Sequence, residues 1–398
     1  MLLLIIRLFK RYFILNFLVV TVILFIKNSI VSQEIDDYKN YNKRINDYKL
    51  VEIFKGLDNP FGLSIMNDKN LLITEKGGRL LKVNVETGES KNIQHSIPSI
   101  RFNSKGFFSQ QGGLLDVYFD SKDEFIYFSY SHDFKESNDL KKSGYSTALA
   151  RGKLVDDKIE EFQILLVAEP ETQKNIHWGS RIIIKDDYLY AGFGERGEGD
   201  IAQNPKMHPG SIIRINKDGT FPHDNPAFKK NPEWLPEIYS IGVRNPQGIA
   251  VSPYDGEIIF SQHGPRGGDN IAKVLSGGNY GWNEIAWGGT EYSGRKIGDT
   301  PFKNKFVKPI KVWVPSIAVG NIGFYNGEAF KEWDGDLLVT ATKTEMLLRL
   351  DYFEGNIIGE EIILQGEIGR IRDFEIDEKG EIYIIVDEEN SSLWKLSK

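Results

Sequence analysis

A short apolar strand, a tight turn and a second strand ending in an apolar–basic run recur along this chain, and that repeat constrains its fold most. Asn70 to Val83 reads N-L-L-I-T-E, a Gly-Gly turn, then R-L-L-K-V. Gly335 to Leu350 repeats it as G-D-L-L-V-T-A-T and L-L-R-L, and Gly380 to Leu396 as G-E-I-Y-I-I-V-D and S-L-W-K-L. Weaker copies start near Asp123, Asp187 and Gly256. About six units, at irregular spacings of roughly 45–80 residues, lie near or above propeller repeat lengths. A small antiparallel sheet cannot bury both faces alone, but radially stacked sheets cover one another and leave only short edges. The expectation is an all-β, six-bladed β-propeller whose loops at one end share a cup. Leu50 to Phe54 would supply a strand that completes the last blade. A pair of β-sandwiches is the alternative, and strand units that continue to Leu396 favour closure.

Composition bounds the function. A net charge of −7 with no Lys/Arg block makes a nucleic-acid partner a poor expectation. The chain has no cysteine, which excludes disulfides, a thiol nucleophile and thiolate-held metals. Aromatic residues at 12% and 39 glycines suit strands joined by tight turns. At the N-terminus, Arg7, Lys10 and Arg11 precede the apolar stretch Tyr12 to Ile26. Residues 1–32 are therefore expected to be a signal peptide cleaved near Ser32, or an uncleaved anchor, with the rest periplasmic or secreted. Membrane association follows only from the anchor. Residues 33–49 form a charged leader and residues 50–398 the propeller.

Four segments carry candidate chemistry. Gln110 and Gln111 precede a Gly-Gly turn that opens an apolar strand, and taken alone they favour a hairpin with solvated Gln. His177-Trp178-Gly179-Ser180-Arg181 sets one imidazole before a strand; it is structural, or a general base. Arg244-Asn245-Pro246-Gln247-Gly248, His263 to Asn270 and Gly278 to Trp282 are dense in Gly, Pro and Asn. Such density forces irregular backbone and turns carbonyls outward, which suits a hard cation such as Ca²⁺; the alternative is a set of structural turns. Arg244 beside Asn245 also suits a developing oxyanion. Finally, Arg370 and Arg372 would share one face of a strand. They need an anion between them, either a polycarboxylate ligand or an internal partner such as Asp373 or Asp387.

In order and spacing, R-N-P-Q-G, H-G-P-R-G-G-D, N-Y-G-W, Q-G-G-L-L-D, H-W-G-S-R, R-I-R-D and G-L-D-N-P-F-G-L resemble the soluble quinone-dependent aldose sugar dehydrogenases of the glucose/sorbosone dehydrogenase family. The resemblance spans about Leu50 to Leu396. It implies pyrroloquinoline quinone (PQQ) and Ca²⁺ as cofactors, an aldose oxidised at C1 to the lactone, and an external electron acceptor. His177 would be the general base and Arg244 would stabilise charge on the quinone. Gln111, Asn245, Tyr292, Thr342, Lys343, Arg370 and Arg372 would contact cofactor or substrate. Gly264 and Pro265 would hold the cofactor's Ca²⁺ through backbone carbonyls, and Asn270 and Tyr280 fall where the family can carry a second Ca²⁺. The chain departs from the family with Asp269-Asn270 in place of the common Asp-Glu, which removes a formal charge there. Ser316 and Thr344 also differ from some members. The alternatives are a non-catalytic extracellular binding propeller and a metal-dependent lactonase. The chain is expected as a monomer or homodimer. Sugar specificity is expected in Pro222 to Pro236 and Tyr292 to Lys308.

Overall fold

The computed structural model describes residues 43–44, 47–98, 111–134 and 144–398. The chain separates into two compact units, 1–44 and 45–398. Within the first, the described residues are the short strand Lys43–Arg44. The targeting segment and Gln110 lie outside the described residues.

The second unit is a six-bladed β-propeller, one small antiparallel sheet to a blade. The innermost strands are Pro60–Asn67, Leu114–Asp120, Gly179–Lys185, Pro246–Val251, Val319–Phe324 and Ile371–Ile376. Each touches the next, and Ile371–Ile376 touches Pro60–Asn67, so the ring closes. The last blade is completed as expected. Lys49–Leu57 adds to the outside of Ser391–Ser397, with Leu50 opposite Leu396.

The recurrent sequence unit proves to be the second and third strands of a blade. In the first blade these are Asn70–Glu75 and Leu80–Asn84, in the fifth Leu337–Ala341 and Met346–Phe353, in the sixth Ile382–Val386 and Ser391–Ser397. The weaker copies mark the second strands Phe125–Asp133, Tyr188–Phe193 and Ile258–Gln262. These strands read as continuous apolar runs because both of their faces are buried between blades, and alternate side chains serve opposite neighbours. Leu72 joins the core shared with the second blade, while Leu71 and Ile73 join the core shared with the sixth. Likewise Tyr127 packs toward the third blade and Ile126 and Phe128 toward the first. Among the described residues helices are limited to single turns such as Pro226–Lys229.

One consequence positions the site. In every blade the inner strand turns back antiparallel into the second. The segment entering each inner strand and the segment leaving each second strand therefore lie at the same rim of the ring.

Candidate active site

The rim segments supply the candidate residues. His177, Arg244 with Asn245, and Gln111 lie just before inner strands. Lys76, His263, Thr342 and Asp387 each stand one residue after a second strand, and Glu195 two residues after one.

Two cavities meet at this rim. The wider is a cleft of about 880 Å³ lined by Gln111, His177, Glu195, Arg244, Trp282 and Tyr292, among others. The other, about 180 Å³, is lined by Lys76, Asn245, Thr342, Arg370, Arg372 and Asp387 among others, and shares Gln111 with the first.

In the cleft His177 is held at its backbone and at its ring. Its backbone N–H donates to Gln111 Oε1 at 2.9 Å, and Nδ1 lies 2.8 Å from Glu195 Oε1. Glu195 is buried. Burial would raise its pKa, but the His177 contact, Arg244 and the Gly197 N–H outweigh burial and hold it below its ordinary value. An ionised Glu195 makes Nδ1 the donor and leaves Nε2 as the acceptor. Burial, then Arg244, lower the His177 pKa against the pull of Glu195, so the ring is neutral at neutral pH. The backbone is fitted to this contact: His177 has a φ of 54°, and a Cβ on Gly194 would sit 2.0 Å from the His177 carbonyl. Arg196, fully buried, donates to the carbonyls of Ile176 and Lys174 at 2.6 Å each and stacks on Trp178. It fastens the loop that carries the imidazole.

Arg244 is buried beside Trp282, 5.1 Å from the ring centre. Its Nη1 donates to the carbonyls of His263 and Gly264 at 3.3 and 3.1 Å. Its Nε is buried without a hydrogen-bond partner.

The second cavity concentrates positive charge. Arg372 Nε donates to Asp387 Oδ2 at 3.1 Å and Nη1 to Gln247 Oε1 at 3.1 Å. Lys76 Nζ lies 2.5 Å from Asp387 Oδ1. Arg370 precedes the strand, donates to the Thr342 carbonyl at 3.4 Å and lines the same cavity. Burial would raise Asp387, but Arg372, Lys76 and Arg370 hold it well below the carboxylate range. Of the two internal partners considered for the arginine pair, Asp387 is the one engaged. Asp373 belongs instead to Arg181, at 2.5 Å.

Three cations around one carboxylate leave a net positive seat, and the orphaned Arg244 Nε needs an acceptor. A flat tricarboxylate such as PQQ fits that donor set.

The remaining expected residues divide. Lys343 Nζ donates to the Ser316 carbonyl at 3.3 Å and does not line either cavity. Gly264, Pro265, Asn270 and Tyr280 line a small third cavity that includes Arg244. There the buried Asp269 carboxylate accepts from the Gly264 N–H at 2.8 Å, Ser316 Oγ at 2.8 Å and the Val319 N–H at 3.1 Å. The Tyr280 hydroxyl accepts from the Leu275 N–H and donates to the Lys273 carbonyl, and Asn270 Nδ2 donates to the Gly268 carbonyl at 2.9 Å. Of the two loops expected to face the sugar, Tyr292 and Arg295 line the cleft, but no residue of 222–236 does. That loop follows the far end of Ser211–Asn216, and Asn204 and Met207, before the same strand, take the place expected for it. Glu195, Arg196 and Lys76 were not anticipated.

The chain is similar to known sugar dehydrogenases over most of its length. Aldose sugar dehydrogenase YliI of Escherichia coli (strain K12) is 32% identical over 352 residues, covering 86% of this chain and 90% of that protein. Quinoprotein glucose dehydrogenase B of Acinetobacter calcoaceticus is 30% identical over 274 residues, covering 62% of this chain and 53% of that one. The crystal structure of the soluble aldose sugar dehydrogenase from Escherichia coli in the apo-form superimposes with a TM-score of 0.80 at 30% identity, covering 88% of this chain and 99% of that one. The model of the Glucose / Sorbosone dehydrogenase family matches residues 57–395, and the chain belongs to that family.

Proposed function

We propose that the chain oxidises aldoses at C1 to the lactone, using PQQ and Ca²⁺ and passing electrons to an external acceptor. The observation that carries this reading is the neutral, Glu195-oriented imidazole at the junction of an open cleft and a cation-lined cavity. His177 Nε2 takes the proton of the anomeric hydroxyl as the C1–H bond breaks and the C1–O bond becomes a carbonyl. Glu195 accepts from Nδ1–H throughout and stabilises the imidazolium so formed. Arg244, fixed by two backbone carbonyls, faces negative charge that develops beside it. When bound, PQQ supplies the two-electron sink for the hydride that leaves C1. Gly264 and Pro265 carbonyls are the proposed Ca²⁺ ligands, with Asn270 and Tyr280 at a proposed second site. Tyr292 closes the outer wall against the sugar. On the strength of the basic and apolar N-terminus we also propose export, by a cleaved signal or an anchor within residues 1–32, with the catalytic domain in residues 50–398.

The test is titration of the apo-protein with PQQ, with and without Ca²⁺, read by absorbance and by aldose-dependent dye reduction. His177→Ala should bind the quinone normally and turn over about two to four orders of magnitude more slowly. Normal turnover by that variant, or no quinone binding by the parent, overturns the reading.

A further inference from the structure

We infer that Lys76 is a cofactor-binding residue, its ammonium forming with Arg370 and Arg372 the seat for a carboxylate of the bound quinone. The inference rests on the proposed function above.

Lys76 follows the second strand of the first blade, at the position equivalent to Thr342 and Asp387 in the fifth and sixth. It is 6% exposed and lines the same cavity as Arg370 and Arg372. Its backbone is pinned there: the N–H donates to the Asn59 carbonyl at 3.1 Å, and the carbonyl accepts from the Leu114 N–H at 3.3 Å. A Cβ on Gly113 would lie 2.1 Å from that carbonyl, so a glycine is needed opposite it. Asp387 is the carboxylate beside Lys76, and Arg372 uses the same carboxylate. One buried carboxylate thus pairs with two buried cations, Lys76 and Arg372, and each has a smaller share of it than an isolated pair would have; Arg370 stands beside them, with Glu388 and Glu345 as well as Asp387 acting on it. A buried ammonium is costly unless its charge is matched. A ligand carboxylate entering this cavity would supply the missing charge and also lies within reach of the arginines' paired N–H groups.

The charge state of Lys76 supplies an independent handle. Burial and the neighbouring Arg372 and Arg370 lower its pKa to about 8 against the pull of Asp387. These three are the charged groups that face it. An added anion raises that pKa. Binding near pH 8 therefore draws a proton onto Lys76, whereas an arginine in its place is protonated already.

The experiment is calorimetric titration of the apo-protein with PQQ at pH 8 in buffers of different ionisation enthalpy. The parent should take up a fraction of a proton per quinone. Lys76→Arg should bind but lose that uptake, and Lys76→Met should bind roughly tenfold or more weakly. Should Lys76→Met fail to fold, because Asp387 loses a partner, the Lys76→Arg proton count decides alone. Undiminished proton uptake by Lys76→Arg, or parent-like affinity in folded Lys76→Met, overturns the inference. A parent protein that does not bind PQQ overturns the proposed function instead.

Discussion

At the scale of single residues, the imidazole is tuned for work as a base below its ordinary pKa of 6.5. The acid limb of kcat/KM should therefore lie below pH 6.5, since a lowered pKa keeps Nε2 unprotonated further into acid. Glu195→Gln removes the group that raises His177, so the limb should move lower still. The same change leaves the imidazole tautomer unselected, and kcat should drop by roughly ten- to a hundredfold. A pH profile that stays put, or a limb above 6.5, contradicts this account. His177 itself was legible because His is the usual neutral-pH base and stands before a strand beside Trp and Gly. Glu195 was not, since acids are common at strand ends and nothing local ties it to an imidazole on the neighbouring strand. The available signal was the antiparallel pairing of Gly179 with Phe193, which brings their flanking residues together.

At the scale of elements, the positions just before inner strands and just after second strands act as equivalent sockets around the ring. Lys76, His263, Thr342 and Asp387 fill one class of socket. Thr342 was expected as a pocket residue, Asp387 as a partner of the arginines and His263 as part of a Gly- and Pro-rich segment, whereas Lys76 lies in a turn that reads as ordinary punctuation. Aligning the repeats on their second strands would have brought Lys76 into line with Thr342. Beneath the sockets, Arg181 ties the inner strands together. It donates to Asp116 and Asp373 at 2.7 and 2.5 Å, and to the carbonyls of Gln247, Phe61 and Arg372. Asn321 of the fifth blade joins through Asp373 at 2.6 Å. Burial pushes Asp116 up to about 6 even with Arg181 beside it. Arg181→Met should cost about 3–5 kcal/mol at pH 7, because two buried carboxylates lose their counter-charge. Carboxyls with raised pKa values bind protons more tightly folded than unfolded, so the deficit should shrink as pH falls from 7 to 5. Denaturation midpoints at the two pH values measure it, and a pH-independent loss of under about 1 kcal/mol would refute it.

At the scale of the whole molecule, the propeller was legible because strands buried on both faces write unbroken apolar runs, six times over. The outer strands were harder to see. Lys158–Val167 and Ser90–Ile93 carry mostly exposed or half-exposed residues and little periodicity, since only one side meets a neighbour. The exception was Leu50 to Phe54, betrayed by its aliphatic content and its place ahead of the first full blade. Because Lys49–Leu57 completes the sixth sheet, removing the chain through Leu57 should uncover Leu393 and the edge of Ser391–Ser397. The shortened protein should lose cooperative thermal unfolding and self-associate through that edge. A monomer with an unchanged Tm would show that the ring needs no such clasp.

That clasp also sets a schedule. Glu52 and Ser392, hydrogen-bonded across it, are separated by 340 residues. At roughly 5–20 residues per second of synthesis, the earlier partner waits on the order of tens of seconds for the later one. Through that interval it is an unpaired segment of the nascent polypeptide. Lys49, Glu52 and Lys55, spaced along it, are the kind of charged gatekeepers that deter aggregation until the last segment emerges.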